Sequence, residues 1–167
     1  WVLEDNGICN RPQQVSNLPA GKVFVLPQEG TMKGTIVIDG SWEGELLGEP
    51  ISFQVEDGMV VDVTGGEAAE EIKSIYNLAK DGVRGSKRDL VWTVAEFGFG
   101  MNPKATYLVG SKIEDLVVRG SAYFGFGDNT HLGGSARVGI HLRGVISSPE
   151  VTLEEVTIMS EGKLSVR

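Results

Sequence analysis

Glycine punctuation constrains this chain more than any other feature: 23 of its 167 residues are glycine, and they separate short runs that alternate or are rich in β-branched side chains. Such runs bury one face as strands, and glycine supplies the backbone freedom for tight turns between them. Ile51 to Glu56 and Met59 to Thr64 flank Asp57-Gly58, a two-residue hairpin signal because both central positions take positive φ. Glu161-Gly162 repeats the signal between Thr157 to Ser160 and Lys163 to Val166. Val23 to Leu26, Thr35 to Ile38, Leu90 to Ala95 and Leu116 to Phe126 read as further strands. Gly120 interrupts the last of these, where a bulge or a close backbone contact is expected.

One segment follows a different period. From Glu67 to Lys80, Ala68, Ile72, Ile75 and Ala79 recur at helical spacing, and Ala69, Tyr76 and Leu78 widen the stripe. Glu67, Glu70 and Glu71 suit the positive end of a helix dipole, and Lys80 followed by Gly82 suits the other end. Val83 to Asp89 reads as a basic, solvated loop. The expected architecture is a single α+β domain over residues 1–167: a β-rich mixed sheet, curved or barrel-like, with one main helix at about 67–80.

Charge and cysteine content remove several function classes. The formal net charge is -8, so the long-range field repels phosphate backbones and anionic membrane surfaces, and no nucleic-acid or membrane partner is expected. No stretch approaches the roughly 18 apolar residues of a membrane span. The single cysteine, Cys9, permits no intramolecular disulfide, and without a charged-then-apolar leader the expected location is cytoplasmic. The chain begins at Trp1 rather than methionine, as a processed or excised segment would.

Most familiar catalytic motifs are missing. Gly82 to Lys87 lacks phosphate-loop spacing, Gly125 to Gly134 lacks the dinucleotide fingerprint, and there is no H-E-x-x-H, cysteine cluster or G-x-S-x-G elbow. What remains is a set of isolated polar residues beside glycines: Glu96, Asn102, Asp128, His131 and His141. Glu96 is placed at the end of an apolar strand, where Gly98 and Gly100 let the backbone turn and a carboxylate enter a cleft. It reads equally as a loop carboxylate capping backbone N–H groups. His141, between Ile140 and Leu142, reads equally as a hydrogen-bonded structural residue.

Four segments carry a family resemblance: Leu18-Pro19-Ala20-Gly21-Lys22, Glu96 to Pro103, Gly125 to Gly134, and Ile140-His141-Leu142-Arg143. In order and spacing the chain from about Val15 to Arg167 resembles the C-terminal, metal-binding half of the aminopeptidase T-like metallopeptidases, which hold two catalytic metals. The resemblance implies that Glu96 and His141 occupy metal-ligand positions. It also implies that Lys22 stands in place of a glutamate, Tyr123 in place of a histidine and Arg143 in place of an aspartate. Ammonium and guanidinium groups have no lone pair to donate and repel a cation. The expected cofactor is therefore none, or at most one divalent metal. Lys22 and Arg143 are expected to pair with Glu96, or with Asp128 if its loop folds back. Alternatively they bind a small anionic ligand or peptide, with Asn102, Tyr123, Asp128 and His131 completing the site.

Two functions stay open on the sequence. In the first the chain is a metallopeptidase-like module for binding or assembly that has lost two-metal peptide hydrolysis. In the second it is a metal-dependent enzyme of the same family, an aminopeptidase or one of altered chemistry, using Glu96 and His141 with His131, where one metal activates water or a substrate oxygen. Exposed strand edges would let copies associate as a homo-oligomer.

Overall fold

The computed structural model of the chain describes residues 2–165. Along the sequence the elements are β1 (Val2–Asp5), β2 (Lys22–Val25), β3 (Gly34–Ile38), β4 (Ser41–Trp42), β5 (Glu45–Leu46), β6 (Ile51–Glu56) and β7 (Met59–Thr64). The helix α1 (Gly66–Gly82) follows, then β8 (Val94–Gly100), β9 (Ala122–Gly127), β10 (His141–Ile146), β11 (Val151–Leu153), β12 (Val156–Ser160) and β13 (Lys163–Leu164). Among the described residues α1 is the only α-helix, so the sheet-rich architecture with one main helix is as expected. Among the described residues no helix is long and apolar enough to cross a membrane.

A seven-stranded sheet in the order β1-β2-β8-β9-β10-β4-β5 forms the main layer. It is curved but open, with β1 and β5 at its edges rather than closed into a barrel. A three-stranded sheet, β3-β6-β7, packs beside it, and β11-β12-β13 forms a third. Both expected hairpins are present: β6 pairs with β7 around Asp57-Gly58, and β12 with β13 around Glu161-Gly162. All four turn residues take positive φ. Val166, the expected end of the second hairpin, lies outside the described residues.

The core lies between the main sheet, the β3-β6-β7 sheet and α1. Phe53 stacks on Phe126 with ring centroids 4.6 Å apart, and Trp42 stacks on Phe53 at 5.3 Å. Ile72 and Tyr76 of α1 close this layer, both buried, and the Tyr76 hydroxyl donates to the Phe126 carbonyl. Each ring of this size contributes a few kcal/mol by leaving water. Phe126 therefore fixes which face of β9 looks inward.

Three sequence expectations need correction. Val83 to Asp89 is not a free loop, because a 3₁₀ segment runs from Gly85 to Trp92, with Trp92 stacked on Tyr76 at 4.4 Å. That segment absorbs Leu90 to Trp92, so the strand begins at Val94 and continues to Gly100. Similarly, Leu116 and Val117 belong to a short 3₁₀ turn, and β9 starts at Ala122. Gly120 is a close backbone contact, since a Cβ there would stand 1.8 Å from the Gly162 carbonyl oxygen.

Candidate functional site

Strand register assembles the site on the face of the main sheet opposite the Trp42-Phe53-Phe126 core. Glu96 of β8 pairs with Gly125 of β9, which pairs with Arg143 of β10, so the three form one row across the sheet. In the next row Phe24, Gly98, Tyr123 and Val145 are neighbours, and Lys22 lies opposite Gly100. Since side chains alternate along a strand, Phe97, Phe124 and Phe126 point to the other face.

Glycine at two positions makes the row fit. A Cβ at Gly125 would stand 2.7 Å from His141 Nε2 and 3.0 Å from Glu96 Cβ. A Cβ at Gly98 would stand 2.5 Å from the Tyr123 ring. Gly98 and Gly100 therefore do not turn the chain after Glu96; they keep it extended while the neighbouring strand presses close. Glu96 sits within a strand, not at its end.

Glu96 is 1% exposed, and side chains, not backbone N–H groups, satisfy it. The Tyr123 hydroxyl donates to Oε1 at 2.7 Å. Arg143 donates to Oε2 from Nε at 3.0 Å, and its Nη2 lies 3.0 Å from the same oxygen in the ion pair. His141 Nε2 lies 3.1 Å from the same oxygen. Its Nδ1 lies 2.6 Å from the Asp128 carbonyl oxygen, which can only accept, so Nδ1 carries a hydrogen. The contact with Glu96 is attractive when Nε2 carries one too.

Electrostatics keep the carboxylate ionised. Burial raises the Glu96 pKa, but the bonds from His141 and Tyr123 and the charges of Arg143 and Lys22 lower it further, down to about 2. Tyr123 is driven far upward by burial and by the adjacent carboxylate, so it remains a phenol donor. The Lys22 ammonium lies over two rings, 5.1 Å from the Phe24 centroid and 5.8 Å from that of Tyr123. Among the described residues no carboxylate reaches it within ion-pair distance. Burial lowers its pKa, Glu96 and Asp5 resist, and Arg143 adds to the lowering.

The other expected site residues divide. His131 is exposed and meets His141 edge-to-face at 4.9 Å. Burial and the neighbouring His141 and Arg143 lower its pKa, against Glu96 and Asp128. Asp128 is not an ion-pair partner of Lys22 or Arg143. Its carboxylate accepts from Thr130, Val138 and Gly139, closing the loop that carries His131. Burial raises its pKa and these hydrogen bonds outweigh that, leaving it well below the ordinary range. Asn102 is a clamp outside the row: its Nδ2 donates to the Ala20 carbonyl and its Oδ1 accepts from the Lys104 N–H.

A cleft of about 260 Å³ opens over this row, lined by Lys22, Phe24, Glu96, His131 and Arg143 together with Asp5 and Asn17. A smaller one of about 130 Å³ adjoins it and shares Asp5, Asn17, Lys22 and Arg143. Asp5, held by Ser16 and Asn17, carries no sequence signal that would have found it. Phe24 could have been found, because it lies two residues from Lys22 on one strand face. Glu29, which binds Asn129 and Ser135 and so anchors the Asp128 loop, was equally hidden. A larger groove, about 930 Å³, lies between α1 and β4–β5, but it holds no histidine and no converging donor set.

A two-metal centre does not fit this arrangement. Glu96, His131 and His141 place one donor atom each within 4.8 Å of one another, which suits a single ion by donor type. The surroundings oppose it: Arg143 holds the carboxylate oxygen an ion would need. A divalent ion about 5 Å from a guanidinium is repelled by about 7 kcal/mol at an effective dielectric near 20.

A sequence model of the NicX family, described as 2,5-dihydroxypyridine 5,6-dioxygenase, matches residues 1–166. The chain belongs to the NicX family. The 2,5-dihydroxypyridine 5,6-dioxygenase of Pseudomonas putida KT2440 is 22% identical over 96% of this chain and 47% of its own length. The structure of 2,5-dihydroxypyridine dioxygenase from the same organism aligns with a TM-score of 0.77 at 20% identity, over 89% of this chain and 44% of that one. AmpT from Thermus thermophilus aligns with a TM-score of 0.64 at 18% identity, over 99% and 44%. The aminopeptidase T-like fold expected from the four segments is therefore present. The family assignment is corrected: it is NicX, whose description names a dioxygenase and not a hydrolase. The chain spans about half the length of the relatives it matches.

Proposed function

We propose that this NicX-family chain is a ligand-binding domain in which an ion pair replaces metal, and that the ligand is a small carboxylate held by Lys22 and Arg143. The carrying observation is that Arg143 and Tyr123 occupy the oxygens of Glu96, while Lys22 faces the cleft without a carboxylate partner. Charge-assisted hydrogen bonds to a carboxylate are the strongest polar contacts such a pair can make. Glu4 and Asp5 line the same cleft, so a monoanion meets less repulsion there than a dianion. Lactate serves as a probe in titration calorimetry. Wild-type protein is expected to bind it, and Lys22→Met to bind at least about tenfold more weakly, the loss of one charged hydrogen bond. Absence of binding, or equal binding by Lys22→Met, contradicts the proposal.

A second reading keeps one metal. Two imidazoles and one carboxylate form the donor set of non-haem iron(II) oxygenases, and Glu96, His131 and His141 provide it. Iron held there would supply the oxygen activation that the relatives' name implies. In this reading Arg143 turns away from Glu96 and the chain retains oxidative chemistry. Iron uptake that quenches on Glu96→Gln supports it over the first.

A further inference from the structure

Lys22 has surroundings that a carboxylate-binding role alone does not need. It lies on β2 over the Phe24 and Tyr123 rings, at the junction of the two adjoining clefts. The groups that face it are Glu96 and Asp5, which favour its charged form, and Arg143, which opposes it. Burial is the largest effect and lowers its pKa, while the two ring faces attract the ammonium. A lysine desolvated beside a second cation is the environment that frees an amine for attack on a carbonyl. Arg143 donates from Nε to Glu96 and keeps Nη2 in the ion pair, and among the described residues its Nη1 has no hydrogen-bond partner.

We infer that Lys22 is a nucleophile that forms an imine with a small 2-oxo acid, whose carboxylate is held by Arg143 at the junction of the two clefts. The inference rests on the carboxylate-binding reading and specifies the ligand class. The Lys22 amine attacks the carbonyl carbon, forming the C–N bond, and the carbonyl oxygen takes up a proton to give a carbinolamine. That carbinolamine loses its hydroxyl as water, and the nitrogen loses its second proton, leaving C=N. No oxidant or reductant is consumed. The cleft of about 260 Å³ suits a ligand smaller than a drug-sized molecule.

Borohydride trapping tests this on the wild-type chain, with pyruvate as the probe. Hydride reduction of the imine fixes a secondary amine, and intact-mass analysis is expected to show one addition of about 72 Da. Peptide mapping is expected to place it on Lys22 at least about tenfold above any other lysine, with excess lactate, which lacks the carbonyl, suppressing it. Lactate binding without a trapped adduct, or an adduct spread evenly over surface lysines, overturns the imine while leaving the carboxylate site standing. Failure of both lactate and pyruvate to bind overturns the two together. Lys22→Arg keeps the charge, so loss of trapping with retained lactate binding separates nucleophile from cation.

Discussion

Burying Glu96 costs free energy that its neighbours must offset. Its pKa falls from an ordinary 4.5 to about 2 because the His141 and Tyr123 bonds and the Arg143 and Lys22 charges together exceed the burial effect. A carboxyl whose folded pKa is depressed adds stability that is complete above 4.5 and disappears as the pH falls toward about 2. A shift of this size corresponds to about 3 kcal/mol. Glu96→Gln is therefore expected to lower Tm at pH 7 by about 6–12 °C for a chain of this length. The gap from wild type should close between pH 4.5 and about 2. Asp5, Glu29 and Asp128 are also depressed, but they titrate in both proteins, so the difference isolates Glu96. A gap that stays constant across that range contradicts the account. The residue itself was visible in the sequence; its partners were visible only through the resemblance. Tyr123 and Arg143 are 27 and 47 positions away, and no local pattern links them.

At the scale of elements, the turn from β9 to β10 positions both histidines. Asp128 binds three backbone N–H groups of this loop, and its own carbonyl accepts from His141 Nδ1. Asp128→Ala leaves those N–H groups without their acceptor, at a cost of about 1–3 kcal/mol. Hydrogen exchange is expected to accelerate over residues 129–139 while the β6–β7 hairpin is unchanged. Uniform acceleration in both would refute a local role. Hairpins were the legible elements, because Asp57-Gly58 and Glu161-Gly162 need positive φ whatever the rest of the chain does. The start of β8 was not legible. Leu90 to Trp92 are as apolar as a strand, yet they lie in a 3₁₀ segment in which Trp92 stacks on Tyr76 and Val91 is buried. Gly98 and Gly100 read as turn residues for a related reason: sequence shows the absence of a side chain, not the neighbour that fills its space.

For the whole molecule, one sheet separates two environments. Its inner face carries Trp42 and Phe126, which stack with Phe53 of β6, and its outer face carries the charged row of Glu96, His141 and Arg143 with Lys22 beside it. The fold class followed from strand and helix periodicity, and the aminopeptidase T-like scaffold from four short segments. Family membership did not follow, because the glycines and histidine that preserve the scaffold are compatible with more than one chemistry. The proposed function turns on one contact, the Arg143–Glu96 pair, which in that proposal stands where a metal ion would otherwise sit. Metal content after anaerobic incubation with excess iron(II), then zinc(II), followed by gel filtration, measures this directly. The account predicts less than about 0.1 ion retained per chain, since neither metal displaces the guanidinium. Retention of about one ion per chain that is lost in both Glu96→Gln and His141→Ala would contradict it.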